Sequence, residues 1–149
     1  MYCQFISSPL GHIKITANAD GITEIMFSSA TEHSTPSRFT ELAATQLQAY
    51  FAGTLQQFTL PLAASGTLFQ QHVWQALCEV PFGMTCSYAD IARRIGNNNA
   101  VRAVGSANGR NPIAIVVPCH RVIGANGTLT GYAGGLEKKA WLLKHEQRL

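Results

Sequence analysis

The stretch Ser87–Gly109, SYADIARRIGNNNAVRAVGSANG, decides how the rest of the chain is read. Ser87 is suited to cap a short helix over YADIARRIG, because its hydroxyl can take up a free N–H of the first turn. Gly96-Asn97-Asn98 then breaks that helix with residues that tolerate a tight turn, and NAVRAVGSANG opens a second one. Two short helices joined by a Gly-containing turn form the helix-turn-helix pattern. The second helix is unusual in its small residues Ala100, Ala103, Gly105, Ser106 and Ala107. A recognition helix in the major groove carries long polar side chains that reach base edges. Small residues instead let a backbone come close, either to a narrow groove or to a neighbouring helix, and spacing alone leaves both readings open.

Working outward, Thr67 caps a helix over LFQQHVWQALCEV, with Phe69, Val73, Ala76, Leu77 and Val80 at helical spacing and Trp74 and Cys78 in its packing. Downstream, IAIVV (113–117) reads as a buried strand. GANGTLTGYAGG is a turn-rich loop, and LEKKAWLLKHEQRL reads as an amphipathic helix with Leu136, Ala140, Trp141 and Leu143 inward. Upstream of residue 66 the pattern is different. YCQFISSPLGHIKITANADGITEIMFS alternates in runs split by Pro9-Leu10-Gly11 and Asn18-Ala19-Asp20-Gly21, a hairpin or meander signal. RFTELAATQLQAYFAG follows with Phe39, Leu42, Ala43, Leu47, Tyr50 and Phe51 on one stripe and Gly53 as its stop, and LQQFTLPL reads as a further short strand. The chain is therefore expected to be α+β, with a sheet-plus-helix scaffold over 1–65 and a mostly helical, helix-turn-helix unit over 66–149.

With 46% apolar and 13% charged residues in 149, the chain can bury a core. Its apolar runs are too short to span a membrane, and no secretory leader is visible, so a cytoplasmic location is expected. The net charge of +3 is unevenly placed. Residues 1–65 hold two basic side chains (Lys14, Arg38) against four acidic ones (Asp20, Glu24, Glu32, Glu41), so the positive field lies in the second half. That bias suits a polyanion partner, although ordinary surface scatter explains it equally. Cys3, Cys78, Cys86 and Cys119 form no CxxC pair and show no zinc-finger spacing, so free thiols and no metal site are expected.

Cys119 stands in PCHR, beside His120 and ahead of Arg121. A cysteine attacks as thiolate, which needs a base, a cation or a helix N-terminus nearby. Neighbours on an extended segment point opposite ways, so His120 can assist only if the chain turns at Pro118–Cys119. Taken alone, the pair reads more readily as a buried, inert cysteine than as a nucleophile.

The wider set of motifs reverses that reading. SSPLG, VPFGMTCSYADIARRIG, VRAVGSANGRNP, PCHRVIG and GYAGGLEKKAWLLKHE stand in this order over the whole chain. Together they closely resemble the O6-alkylguanine-DNA alkyltransferases, the methylated-DNA–protein-cysteine methyltransferases. The resemblance implies a ribonuclease H-like N-terminal domain and a winged-helix-like DNA-binding domain. It implies that Cys119 accepts the alkyl group, with His120 as its base, Glu146 orienting that histidine, and Asn111 acting through water. Tyr88 would donate toward the leaving guanine, and Lys139 would favour that proton transfer. Backbone groups near Val122, Tyr132, Ala133 and Gly134 would read the base edge. Where some relatives have serine after the loop tyrosine, Ala133 stands here, which removes a hydroxyl donor and keeps an N–H.

The same resemblance implies double-stranded DNA bound through its minor groove and a damaged nucleotide flipped out of the stack. Arg102 would be the finger that fills the gap, with Ala103, Ser106, Ala107 and Arg110 against the DNA. Arg93, Arg94 and Arg110 would touch phosphates, which position without specifying. No cofactor is implied. The protein would act once per molecule, as a monomer with cooperative binding along DNA left open, on O6-alkylguanine and on O4-alkylthymine. Two other classes make different demands. A non-repairing binder of alkylated DNA usually holds tryptophan where Cys119 stands, and a Cys–His hydrolase predicts turnover without salt-dependent affinity for duplex DNA.

Overall fold

The computed structural model describes residues 1–147, which divide into two compact units. The first comprises Met1–Ser65 together with Pro112–Ala114, and the second Gly66–Asn111 together with the chain from Ile115 onward.

In the first unit, β1 (Tyr2–Ser8), β2 (Gly11–Ala17) and β3 (Ile22–Ser28) form an antiparallel meander in that order. Its register pairs Ile6 with Ile13 and Ile15 with Ile25, which places these isoleucines together on a buried face. Helix α1 (Arg38–Phe51) is closed at its start by a reciprocal Ser37–Thr40 capping box. It buries Ala43, Ala44, Leu47 and Tyr50. Leu42, expected inward, is instead 40% exposed, because the buried stripe runs through Thr40 and Gln46. The strand expected over 55–62 does not form beyond an isolated bridge between Ile22 and Leu62. Pro61 has no N–H to offer a ladder, and the Thr59 N–H is taken by Gln46 Oε1 at 2.9 Å.

The second unit begins with α2 (Leu68–Cys78), capped by Thr67 and Gln70, burying Val73, Trp74, Ala76 and Leu77. Cys78 is exposed and so lies outside the packing expected of it. The helix-turn-helix is formed by α3 (Tyr88–Arg94) and α4 (Val101–Gly109), and the turn between them places Gly96 at φ 77°. α4 is fastened to α2 by Trp74 Nε1, which donates to Ala107 O at 2.9 Å in a buried site. A two-residue strand β4 (Cys86–Ser87) pairs in parallel with β5 (Val122–Ile123). Helix α5 (Leu136–Gln147) completes the unit.

Two expectations fail here for physical reasons. The stretch 113–117 is no strand. Ile113 makes an isolated bridge to Ile25, after which the chain turns and Ile115 adopts φ 72°, a left-handed conformation that strains a β-branched residue. On α5 the inward stripe is Lys139, Leu142 and Glu146. Leu136 is 48% exposed, Ala140 is exposed, and Trp141 and Leu143 are half-buried. The helix thus turns two charged side chains inward, which pairing within the site explains. No helix among the described residues is long and apolar enough to cross a membrane.

Candidate active site

The site is built where the chain leaves that turn. Cys119–Arg121 form a single turn of 3-10 helix entered through Pro118, and all three side chains are buried. An extended segment would have sent His120 to the opposite face from Cys119. The turn meets the condition under which His120 can serve its neighbour.

His120 is fully buried, and its Nε2 lies 2.6 Å from Glu146 Oε2. Burial alone would push the Glu146 carboxyl up, but hydrogen bonds from His120 and Arg121 and their charges hold it down at about 2. Glu146 is therefore ionised at neutral pH, so Nε2 carries the proton and donates it to Oε2. Nδ1 is left as the ring's acceptor. It is buried and has no hydrogen-bond partner among the described residues. Burial also lowers the His120 pKa, which Glu146 only partly offsets, so the resting imidazole is neutral. A neutral imidazole with a fixed tautomer thus belongs to the residue that follows Cys119.

The Cys119 thiol is pushed up by burial, against hydrogen bonding to Asn111 and the positive charge of Lys139. Its resting form is the thiol, so a base is required to make the nucleophile. Asn111 is held in place by its own amide, with Nδ2 donating to Val117 O at 2.8 Å.

Lys139 points from α5 into the unit with no exposed surface. Its Nζ donates to Val122 O at 2.6 Å and to Thr130 O at 3.0 Å. Burial lowers its pKa. Tyr88, the first residue of α3, is half-buried and has its hydroxyl 2.5 Å from Thr130 Oγ1. The ring also lies close to Gly105 of α4, where an added Cβ would sit 3.9 Å from Tyr88 Cδ1.

The backbone groups expected near a base are distributed unevenly. The Val122 N–H is committed to Cys119 O, and its carbonyl, which has a second lone pair, accepts from Lys139. Ala133 is exposed and Gly134 half-exposed, in a turn closed by Gly135 N donating to Tyr132 O at 2.9 Å. The Tyr132 hydroxyl stays protonated, because burial and the Cys119 and Glu146 charges all raise its pKa.

On α4, Arg102, Ala103, Ser106 and Arg110 are exposed. Ala107 is not on that face; it is buried with its carbonyl under Trp74. The small residues of this helix therefore divide, Ala103 and Ser106 exposed, Gly105 half-buried and Ala107 buried. Arg93 and Arg94 pair with Asp90 and Glu79 respectively.

Two residues of the site were not singled out from the sequence. Arg121 sends Nε to Glu146 Oε1 at 2.8 Å and Nη2 to Oε2 at 3.1 Å, and donates from Nη1 to Val80 O at 2.7 Å. Its signal was a cation in an otherwise apolar run, which burial obliges to find a counter-charge. Thr130 gave no signal, as one polar residue in a turn-rich loop.

Comparison with known proteins now bears on this geometry. Residues 1–64 match the ribonuclease-like domain of the 6-O-methylguanine DNA methyltransferase family, and residues 68–148 match that family's DNA binding domain. A methylated-DNA–protein-cysteine methyltransferase of Methanosarcina barkeri is 49% identical over 99% of this chain and 98% of its own length. One from Mycobacterium leprae is 47% identical over 99% of this chain and 93% of its own. Among solved structures, Mycobacterium tuberculosis OGT in complex with DNA superposes with a TM-score of 0.91 at 47% identity, covering 99% of this chain and 94% of that one. The chain belongs to the 6-O-methylguanine DNA methyltransferase family.

Proposed function

We propose that this protein is a methylated-DNA–protein-cysteine methyltransferase that repairs DNA by moving an alkyl group from O6 of guanine onto Cys119 Sγ. The observation that carries the assignment to Cys119 is the 2.6 Å His120–Glu146 contact, which leaves a buried, acceptor-only Nδ1 on the residue that follows a buried cysteine. Relatives of nearly full length named for this activity support it.

In the proposed step the Cys119 proton passes to His120 Nδ1, directly or through a water near Asn111. The S–C bond forms as the C–O6 bond breaks, and the electron pair of that bond stays with the guanine. Tyr88 gives a proton to a ring nitrogen of the leaving base, and its phenolate is later reprotonated by the proton His120 took, so charge and protons balance. The product is a thioether, which no group in the site can cleave, so each molecule acts once. Because O6 of guanine is stacked within a duplex, the nucleotide is flipped out, at a cost of a few kcal/mol. The exposed face of α4, with Arg102, Ala103, Ser106 and Arg110, is suited to lie in the minor groove, with Arg102 filling the gap. The backbone around Tyr132, Ala133 and Gly134 and the second lone pair of Val122 O are suited to read the base edge. The same chemistry extends to O4-alkylthymine, and nothing in it calls for a cofactor or a second copy of the chain.

Incubation with a duplex carrying radiolabelled O6-methylguanine tests the reading. One equivalent of label on the peptide containing Cys119 supports it. Label elsewhere, or lesion binding without transfer, overturns it.

A further inference from the structure

One residue, Thr130, links Lys139 to Tyr88. Thr130 meets Tyr88 through its side chain, Oγ1 to Tyr88 OH at 2.5 Å, and Lys139 through its backbone, Nζ to Thr130 O at 3.0 Å. Lys139 also donates to Val122 O at 2.6 Å, so it ties the Thr130 loop to the strand that follows Cys119. On the other side, the Tyr88 ring passes Gly105 at ordinary van der Waals range, an added Cβ there lying 3.9 Å from Cδ1. The Tyr88 hydroxyl, carried by the first residue of α3, is thereby tied to the Thr130 loop.

We infer that Thr130 is a positioning residue for the transfer step: its hydroxyl donates to the Tyr88 oxygen, aims the Tyr88 proton at the leaving base, and carries the influence of Lys139 to that oxygen. The chemistry favours this direction of donation. Thr130 Oγ1 and Tyr88 OH each have one proton, and only one of them lies between the two oxygens. If Thr130 donates, Tyr88 keeps its own proton for the guanine. As that proton leaves, the phenolate gains a hydrogen bond already in place, which stabilises charge that develops only in the transition state. Lys139, fixed on the Thr130 carbonyl, places a cation behind the same residue and orders the loop without touching the tyrosine. Thr130 touches neither the alkyl group nor Cys119 in this account; it acts through Tyr88. The inference rests on the reading of Tyr88 as the proton donor.

The test compares wild type, Thr130→Val, Thr130→Ser, Tyr88→Phe and the Tyr88→Phe/Thr130→Val double variant. Single-turnover methyl transfer from an O6-methylguanine duplex is measured at saturating DNA, with DNA binding measured separately by fluorescence anisotropy. Thr130→Val keeps the branched shape and removes the hydroxyl. It is expected to slow transfer about 10–100-fold, the weight of one hydrogen bond to a charged group, while DNA affinity changes less than about twofold. Thr130→Ser is expected to restore the rate, and the double variant to be no slower than Tyr88→Phe alone. Equal slowing by Ser and Val would reduce Thr130 to packing, and further slowing in the Tyr88→Phe background would detach it from Tyr88; either overturns the inference. If Tyr88→Phe is slow but Thr130→Val is not, the inference fails alone. If Tyr88→Phe transfers at the wild-type rate, the reading of Tyr88 as proton donor fails with it.

Discussion

Arg121 grips Glu146 at both carboxylate oxygens, at 2.8 and 3.1 Å, with almost no exposed surface on either side chain. A buried ion pair of this kind is poor evidence for stability, since desolvation consumes much of the attraction. Its consequence is geometric. Two hydrogen bonds fix the plane of the carboxylate, and Oε2 is left facing His120 Nε2. The Phe82 ring, 5.7 Å from the guanidinium carbon, covers the pair from one side.

Removing one partner is therefore expected to be costlier than removing both. Arg121→Met should destabilise the fold by about 3–5 kcal/mol, because Glu146 stays buried without its cation. The double variant Arg121→Met/Glu146→Gln should regain much of that loss and still transfer methyl slowly, because His120 has lost its carboxylate. Urea melts and single-turnover rates on the three proteins check both halves. A double variant less stable than Arg121→Met would show that the pair is held for stability itself.

The acid response of the site follows from His120 and Glu146, which bind fewer protons folded than unfolded. Burial first, with Arg121 and Lys139, holds His120 below its ordinary 6.5. Burial would raise Glu146, but its hydrogen bonds to His120 and Arg121 win and hold it at about 2 against an ordinary 4.5. In both cases the unfolded chain takes up protons first as pH falls, so stability drops with acidification. The His120 share is lost from pH 6.5 downward, and the Glu146 share between 4.5 and about 2. Melting curves from pH 7 to pH 3 should show the lower window shrink in Glu146→Gln, the remainder coming from Asp90, whose carboxyl is also held low by hydrogen bonds from Ser87. The transfer rate of the wild type should stay level through pH 6.5, since the base is already neutral there; an acid limb centred at 6.5 would contradict the buried, neutral histidine.

Much of this was legible in the sequence where local chemistry decides. Ser87 and the Gly96 turn set the helix-turn-helix, and Thr67 the start of α2, because caps and turns depend on a few adjacent residues. The C-terminal helix misled for the opposite reason. Apolar periodicity pointed Leu136 and Ala140 inward, whereas Lys139 and Glu146 are inside because carbonyls of Val122 and Thr130 and the side chains of His120 and Arg121 await them from distant segments. Such pairings leave no trace in a hydrophobic pattern. Likewise IAIVV has the composition of a strand, and nothing in it signals that Ile115 turns to positive φ.

Ile115 offers a direct check on that strain. It is 1% exposed at φ 72°. Losing the buried side chain costs about 2–5 kcal/mol, while a left-handed non-glycine backbone costs about 1–3. Ile115→Gly is thus expected to be destabilised on balance, yet less so than Ile115→Ala, which loses the packing and keeps the strain. This inverts the usual order of alanine over glycine. Urea denaturation of the two variants decides, and an alanine variant more stable than the glycine one would remove the strain from the account.

The exposed arginines divide by what already neutralises them. Arg93 and Arg94 are paired with Asp90 and Glu79, whereas Arg102 and Arg110 stand exposed on α4 with no ion pair among the described residues. A phosphate contact from a paired arginine must first give up its carboxylate, so Arg93→Ala should change DNA affinity and its salt slope little. Arg110→Ala should weaken binding to all duplexes alike and reduce the slope of log affinity against log salt by about 1. Arg102→Ala should behave differently from both. If its side chain fills the gap left by a flipped nucleotide, its loss falls on extrusion, worth a few kcal/mol, and transfer from duplex DNA should slow about 10–100-fold. Reaction with free O6-benzylguanine, which needs no extrusion, should keep its rate. An equal defect on the free base would move Arg102 from extrusion to the reaction itself or to the fold.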